Sequence, residues 1–189
     1  ARPGPRRRAP RWVIAASAVL ALAGTFAVER FMRDAPADRL AVIVEDHARA
    51  LSEAQLASAD WVEVARWISR HVHFAMHVPV LPGARLLGAR LCVVDGRRGA
   101  VVEYAVDGVV VSYFVIPDGA PPAEEVVPVG FHRTTLAGYE VVSWREPGLL
   151  HAMIGDLPEP HLARLAKICV EQARGLIARL DRAIQSEEG

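Results

Sequence analysis

The sequence predicts an α+β protein with a single N-terminal transmembrane helix. Three observations support this class: an uncharged apolar run near the N-terminus, a central part made of β-branched runs separated by glycine turns, and a helical pattern at the C-terminal end. A chain of 189 residues is long enough for one well-buried domain with appendages. We expect that domain to be an antiparallel β-meander of about five strands flanked by N- and C-terminal helices.

The N-terminal region has the charge pattern of a membrane anchor. Five arginines precede Trp12, and no acidic residue appears before Glu29. The uncharged stretch approaches the roughly 20 residues that a membrane span needs if it extends to Met32. Because arginines favour the cytoplasmic side, we predict a short basic cytoplasmic tail (1–11), a transmembrane helix (12–32) and an exported remainder. In a bacterium these features place the protein in the inner membrane, with its C-terminal domain in the periplasm.

The same apolar run allows a second interpretation. Ala21-Leu22-Ala23 resembles the cleavage site of a signal peptide, although the apolar run continues beyond it and so favours an uncleaved anchor. Ser17, Ala21 and Gly24 share one face of the predicted helix, and small residues let membrane helices approach closely. These three residues are candidate contacts with a partner helix, although the general abundance of alanine explains them equally well.

Between the anchor and the sheet the pattern is helical. Apolar residues at three- and four-residue spacing predict a juxtamembrane helical stalk over 33–57. Ser58 or Asp60 can cap a second helix from Trp61 to Ser69, which opens the exported α+β domain (58–189).

Apolar runs of strand length then follow one another. They cover Leu86 to Val94, Val101 to Val106, Val109 to Ile116, Phe131 to Leu136, Tyr139 to Trp144 and Leu149 to Ile154. Asp107-Gly108 is a two-residue hairpin signal, since both turn positions need positive φ. From Pro158 onward the pattern returns to helix.

The last helix shows a heptad-like seam that is longer than a small sheet requires. The seam consists of Leu162, Ala166, Cys169, Ala173, Leu176 and Leu180. We expect the first half to pack across the sheet and the part beyond Gly175 to reach a partner. Leu176, Ile177 and Leu180 are therefore candidate partner-binding residues.

The chemistry-bearing residues do not indicate an enzyme. Ser112, Ser143 and His151 lack the sequence context of a catalytic triad. We predict that His71, His73 and His77 hold no metal, because no cysteine or carboxylate cluster accompanies them. No cofactor or small-molecule substrate is indicated, and zero formal net charge argues against a nucleic-acid partner. Cys92 and Cys169 are open to two interpretations, a disulfide or two separately buried thiols.

The order of several short motifs resembles the exported half of bacterial transmembrane anti-sigma factors. A tryptophan-containing helix leads to a "VPVLPG" loop, followed by a "LLGARL" strand, a "YAVDG" hairpin and a "GYEVVSW" strand, and the last strand ends in "GDL". The fit covers Val44 to Ala166 together with the membrane helix. The resemblance implies a sensory periplasmic domain that regulates an extracytoplasmic-function sigma factor.

The region before the membrane helix departs from that family. The family's sigma-binding unit is a cytoplasmic helical domain, often with a His-x3-Cys-x2-Cys zinc site, whereas here only eleven residues precede the helix and none is Cys or His. We therefore expect a non-catalytic accessory subunit that packs against a larger integral membrane complex, with respiratory and photosynthetic complexes as possible hosts. The alternative is the sensory half of an anti-sigma factor whose cytoplasmic domain is missing from this chain.

Overall fold

The computed structural model describes residues 39–49, 54–118 and 130–187, which form three helices and one sheet. The helices are α1 (39–49), α2 (Trp61–His71) and α3 (Glu159–Glu187). The strands are β1 (Leu56–Ala57), β2 (Ala84–Val94), β3 (Arg97–Val106), β4 (Val109–Pro117), β5 (His132–Leu136), β6 (Tyr139–Glu146) and β7 (Leu149–Gly155).

The sheet has seven antiparallel strands in the order β1-β2-β3-β4-β7-β6-β5. The α+β class and the antiparallel pairing are confirmed, but the meander of about five strands is wrong in number and in order. β7, the last strand in sequence, pairs with β4, and β5 lies at the edge. Chain order could not show this, because the connection from 118 to 131 is long enough to carry the chain past two strands before it pairs again.

β1 was not predicted because two residues cannot show an alternating pattern. It pairs with β2 beside Gly88, at a break in the β2–β3 register between Leu86 and Gly88. Gly88 has φ +147, and a Cβ there would lie 2.0 Å from the carbonyl oxygen of Leu56. Only glycine therefore allows β1 to approach β2 this closely.

The tight turns follow from their sequences. Asp107 and Gly108 both have positive φ, as the predicted hairpin requires, and Asp95-Gly96 repeats the arrangement between β2 and β3. α2 begins after Asp60, whose side chain accepts hydrogen bonds from the amides of Val62 (2.8 Å) and Glu63 (3.3 Å).

The two faces of the sheet are covered by different helices. On one face, α2 and α3 enclose a core that contains Val64, Ile68, Leu162, Leu165, Val102, Tyr104, Tyr113 and Trp144. On the other face, α1 contributes the buried side chains of Ile43, Val44 and His47. Residues 41–49 and 54–57, which are part of the predicted stalk (33–57), belong to the same compact unit as the sheet.

The predicted transmembrane helix (12–32) lies outside the described residues, as does the basic tail. Within the described ranges, no helix is long and apolar enough to cross a membrane.

Candidate docking groove and buried polar network

A groove of about 720 Å³ runs between α2 and α3. One wall is α2, the floor is the extended segment that follows it, and Leu176 of α3 closes the other side. Most of the lining is apolar: Trp61, Val62, Ala65, Ile68, Phe74, Ala75, Met76, Val78, Val80 and Leu176. We call this feature the α2–α3 groove.

A side-chain amide holds the floor of the groove in place. Gln172 on α3 donates from Nε2 to the carbonyl oxygen of Val80 (2.7 Å), and its Oε1 accepts from the amide of Val80 (2.9 Å). The same Oε1 lies 3.1 Å from Nε2 of His77. Gln172 therefore satisfies both backbone groups of Val80, as a neighbouring strand would.

A second anchor lies one residue earlier. The carbonyl oxygen of Pro79 accepts from the hydroxyl of Tyr104 (2.8 Å) and from Nε1 of Trp61 (3.2 Å). Tyr104 is on the sheet and Trp61 is on α2, so the extended segment is tied to all three neighbouring elements. A groove fixed in this way needs little ordering when a ligand binds.

Large apolar side chains are exposed in and beside the groove. Val62 is 62% exposed, Val80 54% and Leu176 43%, and on the next positions of α3 Ile177 is 56% and Leu180 55% exposed. On α2, by contrast, Val64 and Ile68 are buried against the sheet. A cluster of exposed apolar side chains is typical of an interaction site, whereas isolated ones are common on any surface.

The predicted partner-binding residues divide into two groups. Leu176, Ile177 and Leu180 are on α3, where all three are exposed and Leu176 lines the groove. Ser17, Ala21 and Gly24 lie outside the described residues. The contribution of α2 was not predicted from the sequence. Val62 could have indicated it, because it is an apolar residue on the otherwise polar side of an amphipathic helix.

The opposite face of the sheet contains a buried network of ionisable and hydroxyl groups. Arg90 on β2 donates from Nη1 to Asp46 Oδ2 (2.6 Å) and from Nε to Glu103 Oε1 (3.0 Å). Ser112 donates to Glu103 Oε2 (2.7 Å), and its Oγ lies 2.6 Å from Nδ1 of His47. Since Asp46 and His47 are on α1, the network joins α1 to three strands.

The hydrogen-bond donors and acceptors in this network determine which nitrogen of His47 carries the proton, and burial shifts the pKa of its ionisable groups. The Ser112 hydroxyl has one proton and directs it to Glu103, so we assign the His47 proton to Nδ1, which donates to Ser112. Burial and the nearby Arg90 together lower the pKa of His47 to about 4, against the opposing effect of Asp46. Burial raises the pKa of Glu103, against the opposing effects of Ser112 and Arg90.

This arrangement does not match a catalytic triad. In a triad the histidine lies between the acid and the serine, whereas here Ser112 lies between Glu103 and His47. Ser112 and His47 are each only 1% exposed, so a substrate has no access to either. The network is therefore suited to holding α1 on the sheet.

A second buried histidine lies on the α3 side of the sheet. Nδ1 of His151 is 2.8 Å from the hydroxyl of Tyr113, and its ring stacks on Trp144 at 5.1 Å between centroids. Burial lowers the pKa of His151 to about 3, so the ring is neutral at neutral pH. Glu146 Oε2 lies 3.5 Å from His151 Nε2, a distance too long for a good hydrogen bond to a neutral ring.

The other histidines that we considered as metal ligands have separate environments. His71 Nδ1 lies 2.7 Å from the carbonyl oxygen of Trp67, and its ring packs on the Trp67 ring. His77 contacts Gln172, and His73 is exposed. In the part of the chain that the structure describes, no three His, Cys, Asp or Glu side chains converge on a point that could hold a metal ion.

The two cysteines are separate buried thiols on opposite faces of the sheet. Cys169 belongs to the core beneath α3, whereas Cys92 pairs in register with Gly99 and lies near Asp46 and Arg90. Burial raises the pKa of both thiols, that of Cys92 to about 12. The disulfide interpretation is therefore not compatible with this fold.

Comparison with known proteins does not assign the chain to a family: no family model, no curated protein and no solved structure matches it.

Proposed function

We propose that this chain is a non-catalytic, single-pass membrane protein whose periplasmic domain docks onto a larger inner-membrane protein complex as an accessory subunit. The observation that supports the proposal best is the α2–α3 groove with its exposed neighbours Ile177 and Leu180. Buried apolar surface contributes roughly 25 cal/mol per Å². Covering these side chains with a partner therefore stabilises the complex.

The proposed topology follows from the arginine-rich N-terminus. The tail 1–11 lies in the cytoplasm, the helix 12–32 spans the inner membrane, and the domain is in the periplasm. A second contact through Ser17, Ala21 and Gly24 would then act together with the groove, because two linked contacts hold more strongly than either does alone.

The proposal is tested by removing the apolar surface without touching the core. We expect the wild-type chain, extracted in mild detergent, to migrate in a native gel as a stoichiometric complex with integral membrane proteins. Val62→Glu combined with Leu180→Glu should release it, while circular dichroism stays unchanged. Val93→Glu is the matched control, since Val93 is 64% exposed but is not part of the groove.

Three results would contradict the proposal. If the wild-type chain migrates alone, or if the double variant remains in the complex, docking through this surface is excluded. An inactive periplasmic reporter fused after Gly189 would exclude the proposed topology.

The alternative is the sensory half of a transmembrane anti-sigma factor, and it rests on the motif order between Val44 and Ala166. The genomic sequence upstream of this chain and the neighbouring genes test this alternative. An upstream coding extension with a His-x3-Cys-x2-Cys pattern, next to a sigma-factor gene, would favour the alternative over the accessory subunit.

A further inference from the structure

We infer that the α2–α3 groove receives an acidic amphipathic helix of the partner protein. This inference rests on the proposed docking function and adds the chemistry of the partner to it. Three features of the groove lead to it: its apolar lining, the hydrogen-bonding state of its floor, and the sign of the charges around it.

The floor of the groove resists pairing with an added strand at Val80. A peptide that binds as a strand needs free backbone donors and acceptors on its host. At Val80, an exposed residue of the floor, Gln172 already occupies both the amide and the carbonyl oxygen. A partner that covers Val80 is therefore recognised by side-chain packing.

The shape of the site suits a helix. α2 forms one wall and Leu176 of α3 closes the other side, and a partner helix presents apolar residues at i, i+3, i+4 and i+7 along one stripe. The matching positions on this chain are Val62 and Ala65 on α2 and Leu176 on α3. Leu180, one turn beyond Leu176, extends the apolar surface along α3.

The permanent charge at the groove is positive. Arg66 lines it, and no carboxylate is among its lining residues. On α3, Arg179 is exposed and lies three residues after the groove residue Leu176, so it is close to Leu176 on the helix surface. Glu63 on α2 accepts a 2.5 Å hydrogen bond from Ser58, beside the start of the helix. A partner with glutamate or aspartate beside its apolar stripe therefore complements this rim.

The test uses two designed peptides and the full chain. Each peptide has about 18 residues, is held helical by a side-chain lactam bridge, and presents leucine at i, i+3, i+4 and i+7. One peptide carries glutamate beside the leucine stripe and the other carries lysine. The full chain is placed in nanodiscs of zwitterionic lipid, with empty nanodiscs as the blank, and affinity is measured by fluorescence polarisation.

We expect the glutamate peptide to bind at least about tenfold more tightly than the lysine peptide, and to weaken with added salt. Arg66→Glu with Arg179→Glu should reverse this preference. Arg98→Glu should leave it unchanged, because Arg98 is exposed on β3 and does not line the α2–α3 groove.

The other outcomes of the peptide experiment would each contradict one part of this inference. Equal binding of both peptides would overturn the acidic partner while leaving apolar docking intact. Binding of neither peptide would overturn the helical partner, and so would equal binding of a proline-containing glutamate peptide that cannot form a helix. The native-gel experiment is independent of these peptides, so the failure of this inference is distinguishable from failure of the proposed function.

Discussion

The two faces of the sheet are held to their helices by different kinds of interaction. On the α1 face, a buried guanidinium lies between two carboxylates, and a serine and a histidine extend the chain of hydrogen bonds. On the α2 and α3 face, the buried contacts are mainly aliphatic packing and stacked rings such as Tyr113 on Trp144, and the ion pair between Arg133 and Glu159 lies nearer the surface.

This difference affects how precisely each helix is positioned on the sheet and which mutations each face tolerates. Hydrogen bonds and ion pairs require a defined geometry, so they fix a single position for α1 on the sheet. Removing one charged side chain of the network leaves its partner as an unpaired buried charge. Apolar packing is less directional, and its cost on mutation depends on the volume removed. We therefore expect the α1 face to respond most strongly to charge and the α3 face to respond to volume.

The largest expected effect comes from removing the centre of the α1 network. Arg90→Ala leaves Asp46 and buried Glu103 without their cation, and we expect a loss of about 3 to 5 kcal/mol in the free energy of unfolding. Urea denaturation measures this loss. Arg49→Ala is the matched control, because Arg49 pairs with Glu45 at the surface and should cost less than about 1 kcal/mol. Equal costs for the two variants would show that the network contributes no more than a surface ion pair.

The next effect is a loss of stability in acid that involves both faces. The pKa of His47 is lowered to about 4 and that of His151 to about 3, from 6.5. Below 6.5 the unfolded chain binds protons that the folded chain excludes, so stability falls as the pH decreases from 6.5 toward those values. At about pH 5 the loss is about 2 kcal/mol for each histidine. The raised pKa of Glu103 opposes this trend below its folded pKa.

Urea midpoints at about pH 7 and about pH 5 test this prediction. His47→Asn and His151→Asn should each flatten the pH dependence, since asparagine retains hydrogen-bonding capacity but does not titrate. His73→Asn should not, because His73 is exposed. A wild-type midpoint that is independent of pH would contradict the assignment of both buried rings as neutral.

A smaller effect is expected at the floor of the groove. Gln172→Leu removes the two hydrogen bonds to Val80, which water can partly replace at this exposed position, so we expect a loss of about 1 to 2 kcal/mol. The Val80 amide should also exchange with solvent faster. Gln185→Leu, at an exposed position of α3, is the control. Unchanged exchange at Val80 would show that Gln172 does not hold the floor.

Much of the local structure follows from the sequence. The structure contains three predicted local features: the helix that starts at Trp61 after a capping residue, the Asp107-Gly108 turn, and the start of α3 just after Pro158. These features depend on periodicity, capping and turn chemistry, which act over a few neighbouring residues. Leu176, Ile177 and Leu180 are exposed on α3, and their role in binding stays a prediction.

Several features of the molecule depend on contacts between residues that are far apart in the chain, and only the tertiary structure shows them. Gln172 reaches Val80 across 92 residues, and His47 reaches Ser112 across 65, so no local pattern distinguishes these side chains from ordinary polar residues. The packing of α3 on one face of the sheet likewise placed Cys169 away from Cys92, which lies on the other face. Within the described residues, the sequence by itself determined most of the helices and strands, though not β1, because their signals are local. The tertiary structure decided the strand order, the buried network and the groove, because each depends on which residues the fold brings together.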